Sequence, residues 1–125
     1  MVETITQSAI DLLKKLIETP SFSSEEQQTA THIEKWLEAN GIRCKRTNNN
    51  IWAVNKNFDK NKPTLLLNSH HDTVKPNNGY TKDPFKARVE DGRLYGLGSN
   101  DAGGCLVSLM ATFVYFYKQE NLKYN

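Results

Sequence analysis

The sequence predicts an α/β domain, a mixed sheet flanked by helices, and three observations carry that prediction. Apolar residues recur at helical spacing in the first forty positions and again after residue 101. Between those segments the period shortens to the alternation expected of strands. One run in that middle region, Thr64-Leu65-Leu66-Leu67, is apolar without alternation. A strand covered by helices on both faces has that pattern. No repeat, linker or low-complexity segment interrupts the chain.

The first helix is expected from about Thr4 to Thr19, with Ile5, Ala9, Leu12, Leu13, Leu16 and Ile17 on one face and Pro20 as the stop. A second helix follows. Ser24 is in position to cap it, with Gln27 three residues on as the partner in a capping box. Ala30, Ile33, Trp36 and Leu37 form its apolar stripe, and Gly41 ends it. Ile42, Cys44 and Arg46 then alternate with polar neighbours, Asn48-Asn49-Asn50 signals a turn, and Ile51 to Val54 returns. After the central run, Thr73 to Phe85 is a loop rich in Pro, Asn and Gly. Lys86 to Gly96 reads as a hairpin turned at Asp91-Gly92. The last helix, from Ala102 to about Asn121, is apolar around most of its circumference near its start, which predicts burial.

Composition bounds the function. The 125 residues carry 16 basic and 14 acidic side chains, a net charge of +2 without a broad basic face, and this argues against nucleic acid as a partner. No apolar run approaches the ~20 residues of a membrane helix. The start, Met1-Val2-Glu3-Thr4, lacks the basic end and apolar stretch of a secretion signal. Cys44 and Cys105 form no C-x-x-C pair and are expected as two buried free thiols in a reducing cytoplasm.

Two stretches carry chemistry. In Leu65-Leu66-Leu67-Asn68-Ser69-His70-His71-Asp72-Thr73-Val74 an apolar strand ends in an imidazole, and a carboxylate follows two positions later. Ligands bind beyond the carboxyl ends of strands in α/β sheets. Residues i and i+2 share a face of an extended chain, so Asp72 can reach the second ring nitrogen of His70 and make the ring a better zinc ligand. On this triplet alone, a histidine merely satisfied by a neighbouring acid is an open alternative. His71 points to the opposite face and is not expected as a ligand. His32 sits on a helix with no ligand partner at helical spacing and is expected to be a surface or satisfied histidine.

The second stretch is Gly92-Arg93-Leu94-Tyr95-Gly96-Leu97-Gly98-Ser99-Asn100-Asp101-Ala102-Gly103-Gly104. A strand leads through glycines to an acid at the start of a helix. Asp101 could be an N-cap and nothing more. The glycines would equally let the backbone pass close to another group, as a site held between loops requires. They match neither a dinucleotide fingerprint nor a Walker loop, so a nucleotide site is not expected.

Taken together, the two stretches resemble the signatures of the M20 family of zinc peptidases and deacylases. The family's first motif is an apolar strand, then Ser or Gly, then His-x-Asp-Thr/Val-Val, matched by Leu65 to Val74. Its second is Gly-Arg-Leu-Tyr/Trp-Gly-x-Gly-x-x-Asp-x-Lys-Gly, matched by Gly92 to Gly104. The Ser-Asn-Asp-Ala-Gly-Gly variant looks closest to the acetylornithine deacetylases of arginine biosynthesis, including forms suited to other acylated ornithines. The resemblance implies an aminopeptidase/phosphorylase-like catalytic domain. It makes His70 and Asp101 metal ligands, Asp101 bridging two zinc ions (cobalt as a substitute), and Asp72 the catalytic residue that orients His70. It also implies a cis Asp101–Ala102 bond. Two departures stand out: Gly103 where the family has lysine, and Leu97 where an arginine often lies between the glycines.

Zinc needs about four ligands per ion, more than these residues offer. Residues 1–125 are therefore expected to be the amino-terminal portion of a catalytic domain, without the family's Glu-Glu pair, later ligands or lid domain. The implied partner is a small N-acyl amino acid, with no membrane or nucleic acid. A homodimer is implied for the whole enzyme, and self-association is expected for the piece, which alone should be inactive. An aminopeptidase or dipeptidase of the same family, and a non-catalytic α/β scaffold, are the competing readings.

Overall fold

The computed structural model describes residues 2–125 and has the expected α/β class. Helix α1 spans Val2–Ile17 and α2 spans Gln27–Ala39. The strands are β1 (Lys45–Thr47), β2 (Asn50–Trp52), β3 (Arg88–Glu90) and β4 (Arg93–Tyr95), and α3 runs over Gly104–Phe116. The two antiparallel hairpins pair Lys45 with Trp52 and Thr47 with Asn50, then Arg88 with Tyr95 and Glu90 with Arg93. Their turns fall on Asn48-Asn49 and Asp91-Gly92, the residues whose side chains and backbones favour turns. No helix among the described residues is long and apolar enough to cross a membrane.

The core is built around α1. Ala9, Leu12, Leu13, Leu16 and Ile17 are buried between Ile33 and Leu37 of α2 on one side and Val107 and Met110 of α3 on the other. Leu12 retains 3% of its surface, and burying a side chain of this size stabilises by roughly 1.5–3 kcal/mol. Ile42, just past α2, closes the cluster. The end of α2 explains its position: the Gly41 N–H bonds to the Glu38 carbonyl and the Ile42 N–H to that of Leu37, which satisfies two terminal carbonyls and turns the chain back onto the core.

Four expectations are corrected. The capping box at Ser24 does not form: α2 begins behind Glu26 without a side-chain cap, and Ser24 lies at φ 72°. Two other serines of this connection, Ser21 and Ser23, bond to residues 71–73. Thr64 to Leu67 forms no ladder, and Leu65 and Leu66 keep 64% and 78% of their surface. A continuous apolar run reports on what could cover it, and both hairpins pair only within themselves, so no neighbouring strand covers this one. Among the described residues, the backbone bonds here flank Thr64, from Leu65 N–H to the Asn125 carbonyl and from Asn125 N–H to that of Pro63. Finally, α3 is shorter than expected and buried on one side only. Val107 and Met110 face α1, while Cys105, Tyr115 and Phe116 are exposed. One covering layer cannot bury a helix that is apolar all round. Both thiols are free, yet Cys44 is only half-buried and Cys105 is exposed.

Candidate functional site

The side chains of residues 70–72 alternate in direction. His71 turns inward, its Nδ1 2.8 Å from the Thr29 hydroxyl and its Nε2 2.9 Å from the Asn49 carbonyl. That ring is fully occupied in tying the segment to α2 and the first hairpin, in line with its exclusion as a ligand. His70 and Asp72 point the other way. His70 Nδ1 lies 3.1 Å from Asp72 Oδ1, and His70 Nε2 lies 3.1 Å from Asp101 Oδ1. His32 contacts the Thr19 hydroxyl at 3.2 Å, and burial, then Lys15 and Lys35, lower its pKa, so it is a satisfied histidine.

The second stretch arrives from β4. Leu97 is buried, and its N–H donates to the Pro84 carbonyl at 2.7 Å, so the residue that replaces the family's arginine anchors the loop in the core. Residues 99–103 then make a wide turn before α3, closed by the Gly103 N–H on the Gly98 carbonyl at 2.8 Å. Asp101 and Ala102 have non-helical backbones, and the peptide bond between them is cis, as the resemblance implies. Asp101 is no N-cap, because α3 starts three residues later and no side chain caps it. The turn is packed too closely for side chains. A Cβ on Gly98 (φ 79°) would lie 2.7 Å from the Thr73 methyl, and one on Gly103 would lie 2.6 Å from both the Gly98 carbonyl oxygen and Leu13 Cδ1. The missing family lysine thus coincides with a point where this turn rests directly on α1. These close approaches carry Asp101 to His70.

Electrostatics follow from the geometry. Burial pulls the His70 pKa down, but bonds to the Asp72 carbonyl and the Asp101 carboxylate, with the charges of Asp72 and Asp101, outweigh it and raise the value above 6.5. Asp72 is lowered, chiefly by the Ser23 hydroxyl, which donates to Oδ2 at 2.6 Å, and further by His70 against a partial burial penalty. Ser23 is the site residue that sequence reasoning missed, since nothing near position 23 signals a partner 49 residues away.

The donor set fits a metal cation. A neutral imidazole has one N–H, so it can satisfy only one of the two carboxylates facing it. A proton on Nδ1 for Asp72 leaves the Nε2 lone pair directed at the Asp101 carboxylate, an arrangement stable with a cation between them. Two ligands each ~2.0–2.1 Å from a tetrahedral zinc lie about 3.3 Å apart. The observed 3.1 Å is close to that spacing. A second set of donors, Glu34, Glu38 and Cys44, lies within 4.8 Å of one another. It is less suited, because burial and then the two carboxylates raise the Cys44 pKa, and Glu34 already pairs with Arg46 at 3.2 Å.

An α/β chain that brings an imidazole following an apolar run and a loop carboxylate together is built like part of a metal-dependent hydrolase domain. Comparison with known proteins agrees. Residues 66–125 match the family described as Peptidase family M20/M25/M40. A succinyl-diaminopimelate desuccinylase of Beijerinckia indica subsp. indica is 30% identical over 92% of this chain and 32% of its own length. An acetylornithine deacetylase of Edwardsiella ictaluri is 31% identical over 89% of this chain and 32% of its own. A succinyl-diaminopimelate desuccinylase of Xylella fastidiosa is 31% identical over 81% and 28%. The chain is thus similar to the M20 peptidase family, and it spans about a third of the length of these curated relatives.

Proposed function

We propose that this chain provides the first ligands of a dinuclear zinc centre in an amidohydrolase that removes the acyl group from an N-acyl amino acid. The observation that carries the proposal is the His70 ring held between two carboxylates, with Nε2 facing Asp101. In this reading His70 Nε2 and the Asp101 carboxylate hold metal, with zinc the resident ion and cobalt a substitute. Zinc bound there would supply Lewis-acid activation of a water and of the amide carbonyl. Asp72 accepts the Nδ1–H of His70, which fixes the ring's tautomer and keeps the Nε2 lone pair directed outward. The wide turn at 99–103 holds Asp101 where that lone pair points.

The substrate class is supported by the relatives, whose names divide between succinyl-diaminopimelate and acetylornithine. Both are amino acids acylated on an amine, and that shared chemistry is the proposal. Acetylornithine, to whose deacetylases of arginine biosynthesis the Ser-Asn-Asp-Ala-Gly-Gly variant looks closest, is one of the two candidate substrates. A general base and further ligands from outside residues 1–125, a homodimeric whole protein and a cytoplasmic location belong to the same proposal and rest on the family resemblance.

The test is zinc binding by the chain, read by competition with a chromophoric chelator, beside acetate and succinate release by the complete polypeptide that carries it. Asp101→Ala should abolish metal loading and turnover. Zinc retention and near-normal turnover in that variant would discard the assignment.

A further inference from the structure

The connection between α1 and α2 carries none of the residues that the sequence singles out for chemistry, yet it touches the candidate site repeatedly. The Ser21 carbonyl accepts the Thr73 N–H at 2.8 Å, and the Ser21 hydroxyl donates to the His71 carbonyl at 3.0 Å. Phe22 forms a parallel bridge with Thr73, and its ring meets Phe85 edge-on at 6.1 Å. Ser23 then donates its hydroxyl to Asp72 Oδ2 at 2.6 Å. The connection is a brace laid along residues 71–73, a segment that has no sheet of its own to hold it.

We infer that Ser23 is a positioning residue for the His70 ring, acting through Asp72. A carboxylate that contacts only His70 can rotate about its Cβ–Cγ bond and exchange its oxygens. With Oδ2 on the Ser23 hydroxyl and Oδ1 on His70 Nδ1, both oxygens are committed and the plane of the group is fixed. That fixes which ring nitrogen carries the proton, and so the direction of the Nε2 lone pair. The contact with Asp72 is geometric and stands alone, but its meaning for metal rests on the proposed role of His70.

The experiment uses the 125-residue chain without metal and then with zinc chloride as the only probe. Ring nitrogen–proton correlation spectra in mildly alkaline buffer read the tautomer of His70, assigned with His70→Gln. The wild-type chain should show one tautomer protonated on Nδ1. Ser23→Ala should give averaged or broadened ring signals and bind zinc about 10-fold or more weakly, the usual range for loss of a partner that orients a ligand. Ser23→Thr, which keeps the hydroxyl, should restore both readings. Ser23 is exposed, so the alanine variant should unfold at the wild-type denaturant midpoint. Unchanged ring signals in Ser23→Ala would overturn the inference. So would a Ser23→Thr variant as impaired as the alanine, which would point to packing rather than the hydroxyl. If the ring signals respond to Ser23→Ala but the wild-type chain binds no zinc, the positioning role holds and the proposed metal centre fails.

Discussion

His70 faces an acid on each ring nitrogen, and that arrangement sets how the metal-free site responds to pH. A raised histidine pKa contributes stability that is fully present below the unfolded value of about 6.5 and is lost as pH rises through the higher folded value. A lowered carboxylate pKa contributes stability that is present above the unfolded value of about 3.8 and is lost as pH falls through the folded one. Both contributions coexist from about pH 4 to about pH 6.5. Urea unfolding across that range should show a shallow maximum, and His70→Gln should flatten its alkaline side. An alkaline side unchanged in that variant would mean that the ring is not held between the acids. Asp72→Asn keeps the size of the side chain but loses its charge. It should weaken zinc binding about 10–100-fold without unfolding the chain, as measured by chelator competition. His70, Asp72 and Asp101 were legible because two short motifs carry them, one after an apolar run and one in a glycine-rich loop. Ser23 was not, since its hydrogen bond spans a separation that no local pattern reports.

Elements were legible where their cause is local. The apolar stripes of α1 and α2, the break at Pro20, the stop at Gly41 and the turns at Asn48-Asn49 and Asp91-Gly92 all depend on neighbours in sequence. The segment from Thr64 to Leu67 and the outer side of α3 depend on what covers them, and there sequence reasoning expected burial that these residues do not have. The start of α2 fell behind Glu26, because Ser24 adopts a left-handed backbone in place of the extended one a cap requires. The wide turn before α3 offers a sharper test. Gly103→Ala would press a methyl group against the Gly98 carbonyl oxygen and Leu13. Overpacking of this kind costs about 1–3 kcal/mol, so the urea midpoint should fall with the slope unchanged. An unaltered midpoint would show that the turn has room to spare.

Across the whole molecule, the described surface is unusually apolar in places. Leu65, Leu66, Val74, Tyr115 and Phe116 are all exposed. Exposed apolar surface next to unpaired backbone favours association between copies. Sedimentation velocity should show the 125-residue chain associating as concentration rises, and Leu66→Glu should shift it towards monomer. A chain that stays monomeric at all concentrations would contradict this. The hydrogen bonds at the site add a consequence for how the molecule forms. Ser23 and Asp72 are 49 residues apart, and His70 and Asp101 are 31 apart. Closing loops of that size costs entropy that only the packed helices can repay. The cluster around His70 therefore cannot preassemble in any early local structure, and it should appear in the same cooperative step that seats α1 between its two neighbours.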